Sequence, residues 1–164
     1  MITFRAFTKQ DAMAYRELRL RSLKEHPESF LFAYEEAVNW PLERFEKAME
    51  RPWVGAFNGK NMIGFVGIMP NSSAKLKHKA NVGPVYVVPE MRGKGIAKAM
   101  LQAIILKAQE MGIELLQLSA NASHTEVVSL YKSVGFEPYG TEYHIMKLAD
   151  GSYVDDVLMA KVIK

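Results

Sequence analysis

Val85-Tyr86-Val87-Val88-Pro89-Glu90-Met91-Arg92-Gly93-Lys94-Gly95-Ile96-Ala97 reads as a strand that runs into a glycine turn and leaves it as a helix. The three valines favour extended chain. Pro89 cannot donate to a ladder and ends it. The first amides of a helix have no partner within it, and the helix dipole makes that end positive, so a turn of this kind is an anion site. Gly93 and Gly95 let the backbone approach a phosphate with no Cβ in the way. Ala97 is small enough to keep the helix close to its ligand, and Arg92, Lys94 and Lys98 add charge. The turn is not a P-loop, because no Gly-Lys-Ser/Thr follows at the required spacing. It is not a dinucleotide fingerprint, because the three spaced glycines are missing. Read by itself, it is also compatible with a strand–helix turn that uses glycine only for geometry.

Working outward, the N-terminal side begins with an alternating strand, Ile2 to Phe7, then a helix from a Thr8 cap to about Lys24, with Asp11 in its first turn. Residues 28–50 read as one or two helical pieces broken near Pro41. Trp53 to Phe57 and Met62 to Met69 form a hairpin around Asn58-Gly59. A polar loop, Asn71 to Lys77, leads to an extended stretch from His78 to Val88. Pro84 marks an edge, a bulge or a splayed strand within that stretch. On the C-terminal side, a long helix is expected over about Lys94 to Met111, closed by Gly112 and buried on most faces, with Ile96, Met100, Ile104, Leu106 and Met111 apolar. Leu115 to Ser119 is a short strand. Ser123 and Glu126 are spaced as a capping box. Val127, Leu130, Tyr131 and Val134 make one helix face, stopped at Gly135. Strands near Glu137 to Leu148 and Tyr153 to Val162 meet at Asp150-Gly151. This order describes a mixed α/β sheet covered by helices. No repeat or linker interrupts it, so residues 1–164 are expected to form a single domain.

The chain has 164 residues, 49% hydrophobic and 24% charged, an ordinary globular balance. No apolar run is long enough to span a bilayer. The N-terminus lacks the basic start and apolar stretch of a signal peptide, so a cytoplasmic location is expected. With no cysteine there is no disulfide, thiolate metal site or thiol nucleophile, and no metal is expected. A net charge of +3 suits an anionic ligand but is too mild for a nucleic-acid-binding surface. Arg16, Arg19 and Arg21 read as a solvated helix face.

Arg92, Gly95 and Ala97, set between a valine-rich strand and a long helix, resemble the pyrophosphate loop of the GNAT superfamily: Arg or Gln, two residues, Gly, one residue, Gly or Ala. Ser129-Leu130-Tyr131-Lys132-Ser133-Val134-Gly135-Phe136 resembles the Leu-Tyr, three residues, Gly-Phe element found after the fifth strand in many of these enzymes. The tail from Tyr143 to Met159 is similar to a common ending of the family. The motifs cover about Ile63 to Phe136, and the remainder matches by order of elements. The resemblance implies an α/β (α+β) fold: a GNAT-like mixed, mostly antiparallel central sheet with a splayed strand pair, flanked by helices. It implies an acetyl-CoA-dependent N-acetyltransferase that uses acetyl-CoA as co-substrate and a primary amine as acceptor. The implied coenzyme-binding residues are Val85, Tyr86, Val87, Arg92, Gly93, Lys94, Gly95, Ile96, Ala97, Lys98 and His124.

Alone, Tyr131 is a core aromatic on an amphipathic helix; the resemblance instead points its hydroxyl at the coenzyme sulfur. Attack of an amine on the thioester creates an oxyanion that needs fixed N–H donors. In a GNAT-like site these come from the splayed strand, here Val85 to Val87. With ordinary pKa values of about 8.5 for a thiol and 10 for tyrosine, full proton transfer from Tyr131 is uphill by about 2 kcal/mol. Hydrogen bonding to the leaving sulfur is therefore the expected role. The base stays open. Some relatives carry a glutamate where Asn81 stands, so that role is not carried over. His124, where relatives have a coenzyme-contacting asparagine, is a coenzyme contact, a base through water, or a solvated residue. Glu35 and Glu36 either attract a cationic amine or lie on the surface. His78 and His144 read as ordinary strand residues. Lys75, Lys77 and Lys79 either meet a phosphate or protect an edge. A coenzyme-A-binding sensor without catalysis is the rival reading, and a homodimer through C-terminal strands is compatible with the pattern. The acceptor is not legible.

Overall fold

The computed structural model describes residues 1–164. The chain runs β1 (Ile2–Arg5), α1 (Ala12–Glu25), α2 (Tyr34–Ala37), α3 (Leu42–Ala48), β2 (Trp53–Asn58), β3 (Asn61–Pro70), β4 (Lys79–Val87), α4 (Ile96–Glu110), β5 (Leu115–Asn121), α5 (Thr125–Ser133), β6 (Glu137–Lys147) and β7 (Tyr153–Val162). The strands form one sheet in the order β1-β2-β3-β4-β5-β7-β6. Every neighbouring pair is antiparallel except β4 and β5, which run parallel. The expected mixed, mostly antiparallel sheet is present. No helix is long and apolar enough to cross a membrane.

Helices cover both faces. On β3, Phe65 stacks edge-on against Tyr15 of α1 with ring centroids 5.3 Å apart. A Cβ at the neighbouring Gly64 would lie 3.1 Å from Met100 Cε of α4. Successive strand residues point to opposite faces, so α1 and α4 sit on opposite sides. The α1 side is aromatic: Tyr15 also packs against Trp53 at 4.8 Å and Phe45 at 6.2 Å. The α4 side is aliphatic, built on Met100, Leu101, Ile104 and Ile105.

The sheet opens where β4 and β5 part. They pair only through Lys79↔Leu115, Ala80↔Leu116 and Asn81↔Gln117. On the other edge of β4, the register with β3 changes between Ile68↔Val82 and Val66↔Val85. Gly83 and Pro84 therefore stand together opposite Gly67, as a bulge. A bulge re-aims its strand, and Pro84 has no N–H to offer a ladder. The Gly83–Pro84 peptide is cis.

Several local expectations change. The long helix begins at Ile96, not Lys94, because Gly93 and Gly95 take left-handed φ values of 74° and 75°. One side of it meets water: Leu106 is 61% exposed and Met111 38%. The Ser123–Glu126 capping box does not form. Asn121 Oδ1 accepts both Ser123 N–H (2.9 Å) and Ser123 Oγ–H (2.7 Å), and the helix starts instead at Thr125 after His124. Lys75 and Lys77 lie in a turn of the expected polar loop, off any strand edge, since Ser73 O accepts Leu76 and Lys77 N–H. Arg19 is not on a solvated face. Ala12, Tyr15, Arg19 and Ser22 are all buried, a helical stripe on which the arginine sits.

Candidate functional site

The gap between β4 and β5 opens a cavity of about 760 Å³. Among the residues expected to bind the coenzyme, Val85, Tyr86, Val87, Arg92, Gly93, Gly95, Ile96, Ala97, Lys98 and His124 line it, together with Tyr131. Lys94 does not. Its Nζ turns toward Met91 Sδ at 3.7 Å.

The turn before α4 presents a continuous run of free amides. Ala99 N–H is the first to find a helical acceptor, Gly95 O at 3.0 Å. No carbonyl or side chain of the protein accepts the N–H of any residue from Gly93 to Lys98. Left-handed φ at Gly93 and Gly95 lets successive amides converge, and a Cβ at either position would meet no protein atom within 4 Å. This is the geometry of an anion nest on a helix N-terminus.

The splayed edge adds a second set. Val88 N–H donates to Ile63 O on β3 at 2.9 Å. Backbone groups alternate sides along an antiparallel ladder, so N–H and C=O of Val87 and Val85 face the gap. Arg92 closes one of these acceptors: its Nε donates to Val87 O at 2.9 Å, and its Nη2 lies 3.0 Å from His26 Nε2. The Arg92 guanidinium thus braces turn against strand, and the amides remain without a protein partner.

Tyr131 reaches the cavity from α5. It is 7% exposed and packs edge-on against Phe136 at 6.2 Å. No protein group hydrogen-bonds its hydroxyl, and the residue lines the cavity. Burial, helped by the charge of Asp156, pushes the phenol above its ordinary pKa. His124, which caps the same helix, also lines the cavity, its Nε2 3.7 Å from Glu28 Oε1, and His26 Nδ1 is 3.5 Å from the same oxygen.

A second cavity, about 990 Å³, lies on the α1–α3 side. It shares Ser29, Phe30, Val82, Gly83, Pro84 and Ser119 with the first, so the two meet where the strands part. Asn81 lines this second cavity; His124 does not. Glu35 and Glu36 are exposed on α2 and line neither cavity. His78 is exposed, and His144 stacks on Tyr153 at 4.2 Å on the far edge of the sheet.

Ser119, with no motif to mark it, stands at the junction, and its partner Asp156 lines neither cavity. Ser119 Oγ donates to Asp156 Oδ2 at 2.7 Å. Asp156 is 7% exposed. Burial pushes its carboxyl above the usual aspartate value, the Ser119 bond opposes this, and Glu142 adds to it. The pair arises from β5–β7 pairing, in which Ser119 faces Leu158 and Asn121 faces Asp156.

Residues 12–136 match the acetyltransferase (GNAT) family. A mycothiol acetyltransferase of Thermobispora bispora is 28% identical over 77% of the chain and 43% of its own length. A [ribosomal protein bS18]-alanine N-acetyltransferase of Haemophilus ducreyi is 34% identical over 52% of the chain and 59% of its own length. The chain spans about half the length of the curated relatives it matches. Among solved structures, a GNAT-family acetyltransferase from Streptococcus pneumoniae superposes with TM-score 0.89 at 19% identity, covering 99% of both chains. A Salmonella typhimurium protein solved with its cofactor acetyl-CoA superposes with TM-score 0.87 at 17% identity, covering 100% of this chain and 95% of that one.

Proposed function

Because the chain belongs to the acetyltransferase (GNAT) family, we propose that it transfers the acetyl group of acetyl-CoA to a primary amine by direct attack at the junction of its two cavities. The run of unpaired amides from Gly93 to Lys98, opening on the same cavity as the Tyr131 hydroxyl, carries this reading. Those amides and Lys98 suit a diphosphate, and acetyl-CoA supplies the activated thioester.

The parts divide the work by position. The inward N–H groups of Val85 and Val87 suit the pantetheine arm and the developing oxyanion, since donors fixed before reaction need no reorganisation. The new bond joins amine nitrogen to carbonyl carbon, and the carbon–sulfur bond breaks. Tyr131 hydrogen-bonds the departing sulfur. Its raised pKa favours donation without complete transfer. The amine enters from the second cavity, past Ser119. Ser119 relays the amine's proton to Asp156, whose raised pKa makes it a stronger base than a solvated aspartate. His124 faces the coenzyme cavity, which supports a coenzyme contact over a role as base.

Incubation with acetyl-CoA and a panel of amines, followed by free-thiol release, tests the reading. Thiol release that depends on an amine is expected. Coenzyme binding with no release across primary amines of small molecules, peptide N-termini and lysines would instead support a coenzyme-binding sensor.

A further inference from the structure

The second cavity is cationic in an unusual way. Arg19, Arg44, Lys47 and Arg51 line it, against Glu50 and Glu142. None of the three arginines forms an ion pair with a carboxylate. Arg19 is 8% exposed, and its one hydrogen bond is a long one from Nη1 to Ser22 Oγ at 3.4 Å. Arg51 Nε is a buried side-chain nitrogen with no acceptor at all. Tyr15, which lines the same cavity, stays neutral, since burial raises its pKa. Partial compensation comes from rings: Arg19 Cζ lies 4.6 Å from the Phe30 centroid and Arg51 Cζ 4.7 Å from that of Trp53. A stacked ring satisfies a guanidinium face but none of its in-plane N–H donors. A guanidinium as buried as that of Arg19 is costly without an anion, Arg51 beside it is half-buried, and arginine does not escape by losing its proton.

We infer that this cavity binds an acceptor amine which also bears a carboxylate, the carboxylate lying between Arg19 and Arg51 and the amine reaching Ser119. The inference rests on the acetyl-transfer reading and names its substrate class. A planar carboxylate matches the guanidinium fork. The walls supplied by Phe30, Trp40 and Phe45 suit an apolar or aromatic body between the two polar ends. Glu35 and Glu36, which would have favoured a purely cationic acceptor, stand away from the cavity.

The test uses matched probes on the full chain. 3-Phenylpropionate and its neutral amide are titrated by calorimetry into wild type, Arg51→Met and Arg19→Met, with circular dichroism checking that each variant is folded. Wild type should bind the acid at least about tenfold tighter than the amide, the ratio expected for charged hydrogen bonds. Arg51→Met should bring the two within about twofold. In turnover, L-phenylalanine should release thiol from acetyl-CoA with a higher kcat/KM than L-phenylalaninamide, and Arg51→Met should erase that preference. Equal binding of the two probes, binding of neither, tighter binding of inorganic phosphate, or a preference that survives both substitutions overturns the inference. A separate coenzyme A titration keeps the two readings distinguishable. Failure to bind coenzyme A removes the acetyl-transfer reading whatever the probes do. Coenzyme binding with no acid preference removes only the substrate class.

Discussion

Arg92 Nε donates to Val87 O at 2.9 Å, so the first residue of the phosphate-turn motif holds the open edge of β4. Without it, a carbonyl at the cavity wall loses a charged donor. Arg92→Met should weaken coenzyme A binding about tenfold, a typical value for one such bond. Arg92→Gln, which keeps an N–H donor, should restore much of the loss. Calorimetric titration of coenzyme A compares the two, and equal affinities would remove the bracing role.

Gly95 has φ 75°, and a Cβ there would meet no protein atom within 4 Å. Gly95→Ala should cost stability only by the left-handed backbone penalty, about 1–2 kcal/mol. Its methyl group would still stand in the space the amides face. Thermal melting and coenzyme titration should therefore separate: a modest drop in Tm beside a much larger loss of affinity.

Tyr131→Phe should leave coenzyme affinity intact and lower kcat by about 10²- to 10⁴-fold. The raised phenol pKa adds a pH signature. In the wild type, no alkaline limb from this group should appear below about pH 10, the ordinary tyrosine value. Unchanged turnover in the variant would exclude the hydroxyl from the chemistry.

Asp156 is held by Ser119, and its pKa is raised above that of an unfolded aspartate. As a base it must be ionised, so kcat/KM should fall on the acid side through a pKa above the ordinary value of about 4. Asp156→Asn should lower kcat and abolish that limb, and Ser119→Ala should lower kcat similarly. A purely structural aspartate would leave the pH profile unmoved.

The same shift has a stability consequence of opposite sign to that of a salt-bridged carboxylate. Between the unfolded and folded pKa values of Asp156, the native state binds more protons, so its contribution to stability declines as pH rises through that window. Asp156→Asn should flatten the decline. Asp11 behaves conversely. Bonds from Arg5 Nη1 (2.8 Å) and Thr8 N–H (2.6 Å) hold its pKa down, so its contribution is present above the unfolded value and lost as pH falls through the folded one. Urea midpoints of Asp156→Asn and Asp11→Asn across pH 3–7 should diverge accordingly.

Local chemistry determined much of this protein. Valines and proline fixed the end of β4, two glycines fixed the turn before α4, and the apolar spacing through Tyr131 placed it on a buried helix face. These depend on residues a few positions apart, where backbone preference and hydrophobic period decide. Tertiary structure decided the rest. Ser119 and Asp156 meet only because β7 pairs with β5, and Arg19 and Arg51 line one cavity only because α1 and the segment after α3 pack on the same face. Arg19 lay within reach of the sequence, since it continues the buried stripe of Ala12 and Tyr15, but a charge on a helix is ordinarily solvated. The splay required both β4 edges at once: the bulge at Gly83–Pro84 on one side and pairing that stops at Asn81 on the other. Side-chain periodicity reports which face of a strand is buried; it carries no information about which distant strand, or which unpaired charge, stands beside it.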